Sequence, residues 1–355
     1  MDTKSRQFPS VGSFEERDFS APPADAGRSV RVLGEESAPI EIVPLADEWL
    51  GPACGLFNEL TSGLPHCLPA VQREFACALQ APPRYAHRPV RLAALRRGQM
   101  SGFAIGSVNL DPEPEGSLRV ACRGDASLVG LYCEDIQAGE RLLSEACVRF
   151  QAAGATRVVA FDAGENHNQL PFFNGGLGAC PEQLPNTPQV LTRSGFVIAY
   201  RELQMTRDLS GDDLASRDGD AAYIQEPLFD CTVRETADDL LRTRWGAHSP
   251  DRLELDVLEG EKKVATAVGY LLSSHQAHRH AAGIGYISWL GVEPSHQRRG
   301  IGRALLKRML RQMRRMGVRQ VFLTTGSQNW RAQPLYVSAG FVVVGTSVTF
   351  SGPVT

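Results

Sequence analysis

Apolar residues follow two kinds of period along this chain, and the same succession of periods occurs twice. In each copy two stretches with strand-like alternation come first: VRLAALRRG and GFAIGSVNL upstream, RLELDVLEG and KKVATAVGYLLSS downstream. A strand, a helical pattern, a second strand and a strand that begins with Gly-Phe then follow in both copies. This order predicts two antiparallel sheets, each of which leads into a strand-helix-strand crossover.

The clearest helical pattern lies in the downstream copy, from Gly302 to Met316. Its apolar residues recur at spacings of three and four and form one stripe, which predicts a helix packed on a sheet. The stripe consists of Leu305, Leu306, Met309, Leu310, Met313 and Met316. Gly317 follows as a predicted C-cap, after which the strand pattern resumes at once.

Length and local composition divide the 355 residues into four parts. Residues 1–38 are polar and rich in Pro, Ser and acidic residues, which predicts a mobile leader. A second polar segment, residues 209–221, predicts a linker. The two copies are then a first lobe, residues 39–208, and a second lobe, residues 222–355. We expect an α/β fold in which each lobe is a mixed, mostly antiparallel twisted sheet flanked by helices.

Composition excludes several classes of protein. Apolar content of 43% and charged content of 22% are ordinary for a soluble globular chain, and no apolar run approaches the roughly 18 residues of a membrane span. The N-terminus lacks the apolar region of a secretory signal, so we expect a cytoplasmic protein without a membrane partner. Eight cysteines without a C-x-x-C pair predict reduced core thiols. His275, His278 and His280 are interpreted as an exposed hairpin loop rather than a metal site, so no metal is expected.

The net charge of -3 hides an asymmetry, because no carboxylate follows Glu293. The basic residues after that point are Arg298, Arg299, Arg303, Lys307, Arg308, Arg311, Arg314, Arg315, Arg319 and Arg331. Part of this tract is explained by a solvated helix face, and the rest suits a polyanion. Sparse aromatic residues and the acidic remainder of the chain argue against a nucleic acid and favour a phosphorylated small molecule.

The segment Gln297-Arg298-Arg299-Gly300-Ile301-Gly302 joins a predicted strand to the basic helix. A helix N-terminus presents unpaired N–H groups and the positive end of the helix dipole, and glycines allow a ligand to approach the backbone closely. A diphosphate would therefore fit there. A tight strand-to-helix turn would use the same glycines, so this segment alone does not decide between the two readings.

Three motifs in the correct order resemble the GNAT superfamily of N-acetyltransferases. They are Q-x-x-G-x-G at Gln297, the strand end L-G-V-E-P before it, and N-x-x-A-x-x-L-Y-x-x-x-G-F from Asn329 to Phe341. The resemblance covers residues 285–342 by motif and 251–284 by strand order, and the first lobe resembles the degenerate copy of tandem-lobe members.

The resemblance implies acetyl-CoA as co-substrate and transfer of its acetyl group to a primary amine of a small molecule or peptide. Transfer would proceed by direct attack through a tetrahedral intermediate. The alternative is a non-catalytic module that binds and senses acyl-CoA. A monomer or a homodimer is expected.

The resemblance also implies roles for individual residues. Backbone groups of the strand before the turn would pair with the pantetheine arm, the turn would hold the pyrophosphate, and Tyr336 would lie near the thioester sulfur. The implied cofactor-binding residues are Leu290, Gly291, Val292, Gln297, Arg298, Arg299, Gly300, Ile301, Gly302, Arg303, Asn329 and Tyr336.

The chemistry requires an acid and a base. A phenol with a pKa of about 10 can protonate a departing thiolate whose thiol has a pKa of about 8.5, which suits Tyr336. An amine with a pKa near ~10.4 must lose a proton, and family members place a Glu where this chain has Ser288. The candidates are Ser288 acting through a water, Glu254 and Asp256 on one strand face, Glu293, or a carboxylate of the first lobe. Glu254 and Asp256 also fit a solvated strand face.

The first lobe is predicted not to transfer acetyl groups. When Gly130 is aligned with Gly291 and Gly154 with Gly317, the first lobe is two residues short at the turn. Leu191 stands where the second lobe has its tyrosine. We expect the first lobe to cover an open sheet edge of the second.

Overall fold

The computed structural model describes residues 38–80, 86–109, 124–162, 179–211, 233–234, 251–272 and 281–354. Residues 1–37 of the predicted leader, residues 212–221 of the predicted linker and the His275–His280 cluster lie outside the described residues.

Thirteen strands and six α-helices form within these ranges. The strands are β1 Ile40–Pro44, β2 Ala86–Arg96, β3 Gln99–Asn109, β4 Ala126–Cys133, β5 Arg157–Ala160, β6 Cys180–Pro181, β7 Val197–Asp208, β8 Val233–Arg234, β9 Asp251–Glu259, β10 Lys262–Leu271, β11 Ile284–Val292, β12 Gln320–Gly326 and β13 Val342–Pro353. The helices are α1 Asp47–Thr61, α2 Gln72–Gln80, α3 Ile136–Ala152, α4 Thr187–Arg193, α5 Ile301–Arg315 and α6 Gln333–Ser338.

All of these strands belong to one sheet. Its order is β1-β2-β3-β4-β5-β13-β7-β12-β11-β10-β9-β8, and β6 pairs with β13. Two neighbouring pairs are parallel, β4 with β5 and β11 with β12, and the other pairs are antiparallel. The predicted fold class, a mixed and mostly antiparallel α/β sheet flanked by helices, is confirmed.

The two Gly-Phe strands change places between the lobes. Strand β7 belongs to the first lobe in sequence, yet it pairs with β12 of the second lobe, from Asp208 opposite Gln320 to Glu202 opposite Gly326. Strand β13 of the second lobe pairs with β5 of the first. The two lobes are therefore joined through a shared sheet.

The internal repeat includes a matching irregularity in β4 and β11. A register shift against the preceding strand leaves Val129 in β4 and Ser288 in β11 without an opposite residue, as in a β-bulge. From these residues to the helix-ending glycines, Gly154 and Gly317, the chain advances 25 and 29 residues. The first lobe is therefore four residues short at its turn, and the alignment of Gly130 with Gly291 was wrong because it ignored the bulges.

The predicted stripe of α5 packs on one face of the second lobe's strands. Leu305, Leu306, Met309, Leu310 and Met313 are buried, and Gly317 has the left-handed φ of 88° expected of a C-cap residue. Met316 is 38% exposed, since the helix ends at Arg315 and no longer directs this side chain to the sheet. In β10 a Cβ atom at Gly269 would overlap the end of Met313, so the glycine admits that side chain.

Helices α1 and α2 pack on one face of the first lobe's strands. Phe57 of α1 and Phe75 of α2 surround Phe103 and Tyr132 of the sheet, with ring centroids 5.0 to 6.0 Å apart. Cys54, Cys67, Cys133, Cys147 and Cys180 are free thiols. None of the helices in the described ranges has the length and apolar character that crossing a bilayer requires.

Candidate active site

The turn before α5, residues 297–302, is called the cradle. Gly300 is the N-cap with a φ of 86°, and Arg298 also has a positive φ of 65°. Left-handed residues in such a turn direct successive backbone N–H groups to one side, which makes a concave anion site. Among the described residues no side chain caps this helix. The side-chain amide of Gln297 donates to the Val292 carbonyl at 3.0 Å and fixes the turn to the end of β11.

Space is open around the cradle. A Cβ atom at Gly300 would meet no atom within 4 Å, and one at Gly302 would lie 3.6 Å from both Val292 and Leu335. Ile301 is buried and anchors the first turn, whereas the side chains of Arg298, Arg299 and Arg303 are exposed. The cradle therefore combines open backbone, positive charge and the N-terminus of a 15-residue helix.

A wedge opens between β11 and β12. Their parallel ladder ends at Ile287 opposite Leu323. Beyond that point, among the described residues, β11 pairs with β10 alone and β12 pairs with β7 alone. Residues 288–292 therefore present one backbone edge to the wedge, including the predicted residues Leu290, Gly291 and Val292. At about 3.3 Å per residue this edge is roughly 13 Å long. It leads from the cradle to the apex at Ile287 and Leu323, and an extended ligand can pair with it as an added strand.

Tyr336 lies in α6 and is 8% exposed. Its ring meets Phe341 edge to face at 6.1 Å. Burial raises the pKa of Tyr336 to about 12, so the phenol keeps its proton at neutral pH. Asn329 is exposed in the turn between β12 and α6, where its side-chain amide donates to the Thr325 hydroxyl at 3.3 Å.

Ser288 occupies the bulge of β11 at the apex of the wedge. Its side chain is half-buried, and its hydroxyl donates to the Val268 carbonyl at 3.2 Å. The hydroxyl oxygen keeps lone pairs with which it can accept a hydrogen bond from a water.

Glu254 and Asp256 lie on one face of β9, opposite the face that α5 covers. The Lys263 ammonium is 3.3 Å from Glu254 and 2.8 Å from Asp256, and Arg252 is 2.8 Å from Glu254. Asp256 is 2% exposed and accepts from the Thr266 hydroxyl at 2.6 Å. Both carboxylates are thus held by cations, and Glu293 is exposed at the end of β11.

This polar face replaces an apolar layer of the first lobe. Thr266 stands between Asp256 and Gly291 across three strands of the second lobe. The equivalent row of the first lobe is Ala93, Phe103 and Tyr132, all fully buried. Trp289, beside Gly291, is 48% exposed. The second lobe thus has charged groups and a partly exposed tryptophan at positions where the first lobe has fully buried core residues.

Glu202 on β7 was not singled out from the sequence. It is 6% exposed, and burial raises its pKa to about 7, opposed by the hydrogen bond from Thr324. The Thr324 hydroxyl is 3.4 Å from Glu202 Oε1 and 3.3 Å from the Tyr286 hydroxyl. The only signal in the sequence was a carboxylate within the apolar strand pattern VIAYRELQM, and its location depends on the strand exchange.

The matching positions of the first lobe are occupied by protein. Helix α3 begins at Ile136, and its N-cap Asp135 accepts from the Ala138 amide at 2.9 Å and pairs with Arg96 at 2.5 Å. The hydroxyl of Thr187 donates to the Leu131 carbonyl at 2.7 Å, across the edge that corresponds to the wedge. These contacts use backbone groups whose counterparts in the second lobe have no such side-chain partner among the described residues. Nowhere in the described ranges do three or more His, Cys, Asp or Glu side chains form a group that could hold a metal ion.

Comparison with known proteins agrees with this geometry. The model of the acetyltransferase (GNAT) family matches residues 221–341. A mycothiol acetyltransferase of Geodermatophilus obscurus is 31% identical over 176 residues, which cover 44% of this chain and 57% of the relative. The chain thus matches little more than half the length of that relative.

Solved structures share the fold at low sequence identity. A tandem GNAT protein from the clavulanic acid biosynthesis pathway has a TM-score of 0.59 at 14% identity, covering 89% of this chain and 99% of that one. A GCN5-related N-acetyltransferase from Sphaerobacter thermophilus has a TM-score of 0.55 at 15% identity, covering 90% and 97%. These structures show the fold of the chain, and the family match identifies residues 221–341, which include the cradle, the wedge and Tyr336, as an acetyltransferase (GNAT) family segment.

Proposed function

We propose that the protein is an acyl-CoA dependent N-acetyltransferase that moves the acetyl group of acetyl-CoA directly to a primary amine. One observation carries the proposal: a helix N-terminus without a side-chain cap lies at one end of an open backbone edge, and the buried Tyr336 of α6 shares a hydrophobic cluster with Leu290 and Val292 of that edge. The family match over residues 221–341 supports it.

The residues present fit the co-substrate. The backbone N–H groups of the cradle would hold its pyrophosphate, with Arg298, Arg299 and Arg303 adding positive charge. The backbone of residues 288–292 would pair with the pantetheine arm, and Asn329 would contact it from the opposite wall. When bound, acetyl-CoA supplies a thioester as the activated acyl donor.

Tyr336 holds the proton that a departing thiolate needs. Its pKa of about 12 keeps the phenol protonated across the physiological range, so a proton is available to the sulfur atom as negative charge develops on it. The N–H of Val292 is proposed to stabilise the acyl oxygen. Ser288 would order a water at the apex.

The acceptor is proposed to be a small-molecule amine. The name mycothiol acetyltransferase among the relatives makes a mycothiol-type amine the first acceptor to test. The polar face built from Glu254, Asp256 and Trp289 is the surface from which a hydroxyl-rich or cationic acceptor would gain hydrogen bonds. Peptide amines are the second class in the test.

Thiol release from acetyl-CoA across a panel of primary amines tests the proposal, with Tyr336→Phe as the variant that lacks the proton donor. We expect release with at least one amine and a loss of about 10²-fold or more in Tyr336→Phe with unchanged CoA affinity. If CoA binds and no amine elicits release, the protein is instead a sensor of acyl-CoA.

A further inference from the structure

We propose that Glu202 is the general base of this acetyl transfer, supplied to the second lobe's site by a strand that belongs to the first lobe. The proposal rests on the proposed function. It adds the proton acceptor that the second lobe lacks at Ser288.

The position of Glu202 follows from the strand exchange. On β12 it lies opposite Gly326, two residues beyond Thr324. Thr324 is the first residue of β12 past the end of its ladder with β11, so it stands at the apex of the wedge. Because the Thr324 hydroxyl is 3.4 Å from Glu202 Oε1, the carboxyl group is one hydroxyl away from the place where the thioester end of an extended ligand would lie.

One oxygen of this carboxyl group has no partner. Glu202 Oε2 is buried without a hydrogen bond in the described structure, and so is the hydroxyl of Ser347, which faces Glu202 from β13. Buried polar atoms are nearly always paired, because an unpaired one costs free energy. An amine N–H that reached Oε2 would satisfy it and could deliver its proton to it.

The surroundings of Glu202 suit a proton acceptor. The titratable groups that face it are two phenols, Tyr200 on its own strand and Tyr286 on β11, and the pKa of each is raised by burial and by Glu202 itself. Strands β12 and β13 face it with the hydroxyls of Thr324 and Ser347. In the described part of the chain no cation pairs with it. A carboxyl group with a pKa of about 7 changes protonation where a base must work near neutral pH.

The candidate bases on β9 have cationic partners. Glu254 and Asp256 are both within 3.3 Å of the Lys263 ammonium, so these ion pairs occupy carboxylate oxygens that would have to accept a proton. Within the described ranges Glu202 has no ion-pair partner of this kind.

The proton balance of the step is complete. As the amine nitrogen forms its bond to the acyl carbon and the carbon-sulfur bond breaks, Glu202 accepts one proton from nitrogen and Tyr336 donates one proton to sulfur. Return of that proton from Glu202 to Tyr336 through solvent restores both groups, with no change in oxidation state.

The test compares Glu202→Gln with two further variants. Thr324→Val removes the hydrogen bond that lowers the pKa of Glu202, and Glu182→Gln alters a first-lobe carboxylate that pairs with Arg201 at 2.6 Å, outside the site. The rate of thiol release is measured from pH 6 to 9 with acetyl-CoA and the amine that gives the fastest release, and CoA affinity is measured by calorimetry.

We expect the wild-type rate to fall below about pH 7, where Glu202 becomes protonated. Glu202→Gln should lose about 10²- to 10⁴-fold in rate together with this inflection, at unchanged CoA affinity. Thr324→Val should move the inflection to higher pH, and Glu182→Gln should behave as wild type. A Glu202→Gln variant with the wild-type profile, or a Thr324→Val variant whose inflection does not move, overturns the proposal.

A readout without turnover separates this proposal from the proposed function. Because the native pKa of Glu202 is raised, this group binds fewer protons in the unfolded state between about pH 4.3 and 7, and its contribution to native stability falls as pH rises through that window. Glu202→Gln should therefore be more stable than wild type at pH 8 and lose this advantage at pH 5. Equal differences at both pH values sink the base assignment, whereas a wild type that binds CoA but acetylates no amine sinks the proposed function and the base role with it.

Discussion

Two substitutions at Gly300, the N-cap of α5, can be compared that differ in charge and in little else. Gly300 has a φ of 86°, and a Cβ atom there would meet nothing within 4 Å. Asn and Asp enter the left-handed region more readily than other residues with side chains, and they have nearly the same shape. Gly300→Asn and Gly300→Asp therefore share their backbone strain and differ by one negative charge at the cradle.

Coulomb's law gives the size of the effect. For a carboxylate about 6 Å from one phosphate charge, the repulsion is about 0.7 kcal/mol at the dielectric constant of water and about 3 kcal/mol at an effective value of ~20. The Asp variant should thus bind CoA about 3-fold to about 100-fold more weakly than the Asn variant. The exposed arginines around the cradle place the expected value between these limits.

Calorimetric titration with CoA at two salt concentrations measures this ratio. The Debye length shrinks from about 10 Å at 0.1 M salt to about 3 Å at 1 M, so the ratio should fall toward one at high salt. Asp is a favourable N-cap residue and interacts well with the helix dipole, so weaker binding would not result from a less stable α5. Equal affinity of the two variants at low salt, or a ratio that salt leaves unchanged, would refute a diphosphate site at Gly300.

Three further predictions concern the shared sheet. Met205→Ala should lower the free energy of unfolding by about 2–5 kcal/mol in urea titrations, because Met205 is fully buried in the second lobe's core. The control Val197→Ala, at a position of the same strand that is 66% exposed, should change it by less than about 0.5 kcal/mol, and similar losses for both variants would contradict this. Burial lowers the pKa of His66 to about 3, so below about pH 6.5 this group binds more protons in the unfolded state. As pH falls below that value, wild type should lose about 1.4 kcal/mol of stability per pH unit relative to His66→Gln. Deleting residues 1–208 removes β7 and should leave an insoluble or inactive fragment, which a monodisperse active fragment would disprove.

Local patterns in the sequence predicted the elements because periodicity is a local property. The two-residue alternation in β9 and β10 and the three- and four-residue spacing of α5 directly reflect which side chains face the core. The cradle was visible for the same reason, since its glycines and the helix start are adjacent in sequence. Its roles in binding, and those of Tyr336, Ser288, Glu254 and Asp256, stay predictions.

Pairing between distant strands could not be predicted in this way. The two Gly-Phe strands have the same apolar pattern, so nothing local distinguishes β7 next to β12 from β7 next to β5. The bulges at Val129 and Ser288 are also invisible to a simple alignment, which placed Gly130 opposite the wrong residue. Glu202 could not be identified from the sequence, because its position near the wedge depends on the pairing of β7 with β12, which is distant in sequence.

Side chains of β7 alternate between the two faces of the sheet. This alternation explains how the first lobe, whose own helix N-terminus and strand edge are filled by Asp135 and Thr187, can contribute to the proposed chemistry of the second lobe. Asp135 and Thr187 occupy the first lobe's own helix N-terminus and strand edge, so the described part of that lobe presents no open equivalent of the cradle or the wedge. Along β7, however, Met205 packs into the second lobe's core from one face, while Glu202 lies on the other face, 3.4 Å from the Thr324 hydroxyl at the apex of the wedge. Because side chains alternate with a period of two, a register slip of one residue would exchange the two faces, burying a carboxylate in the core and withdrawing it from the wedge. The pairing of β7 with β12 therefore determines both the packing of Met205 in the second lobe's core and the position of Glu202 for the proposed proton transfer. The second lobe has neither without this strand of the first lobe.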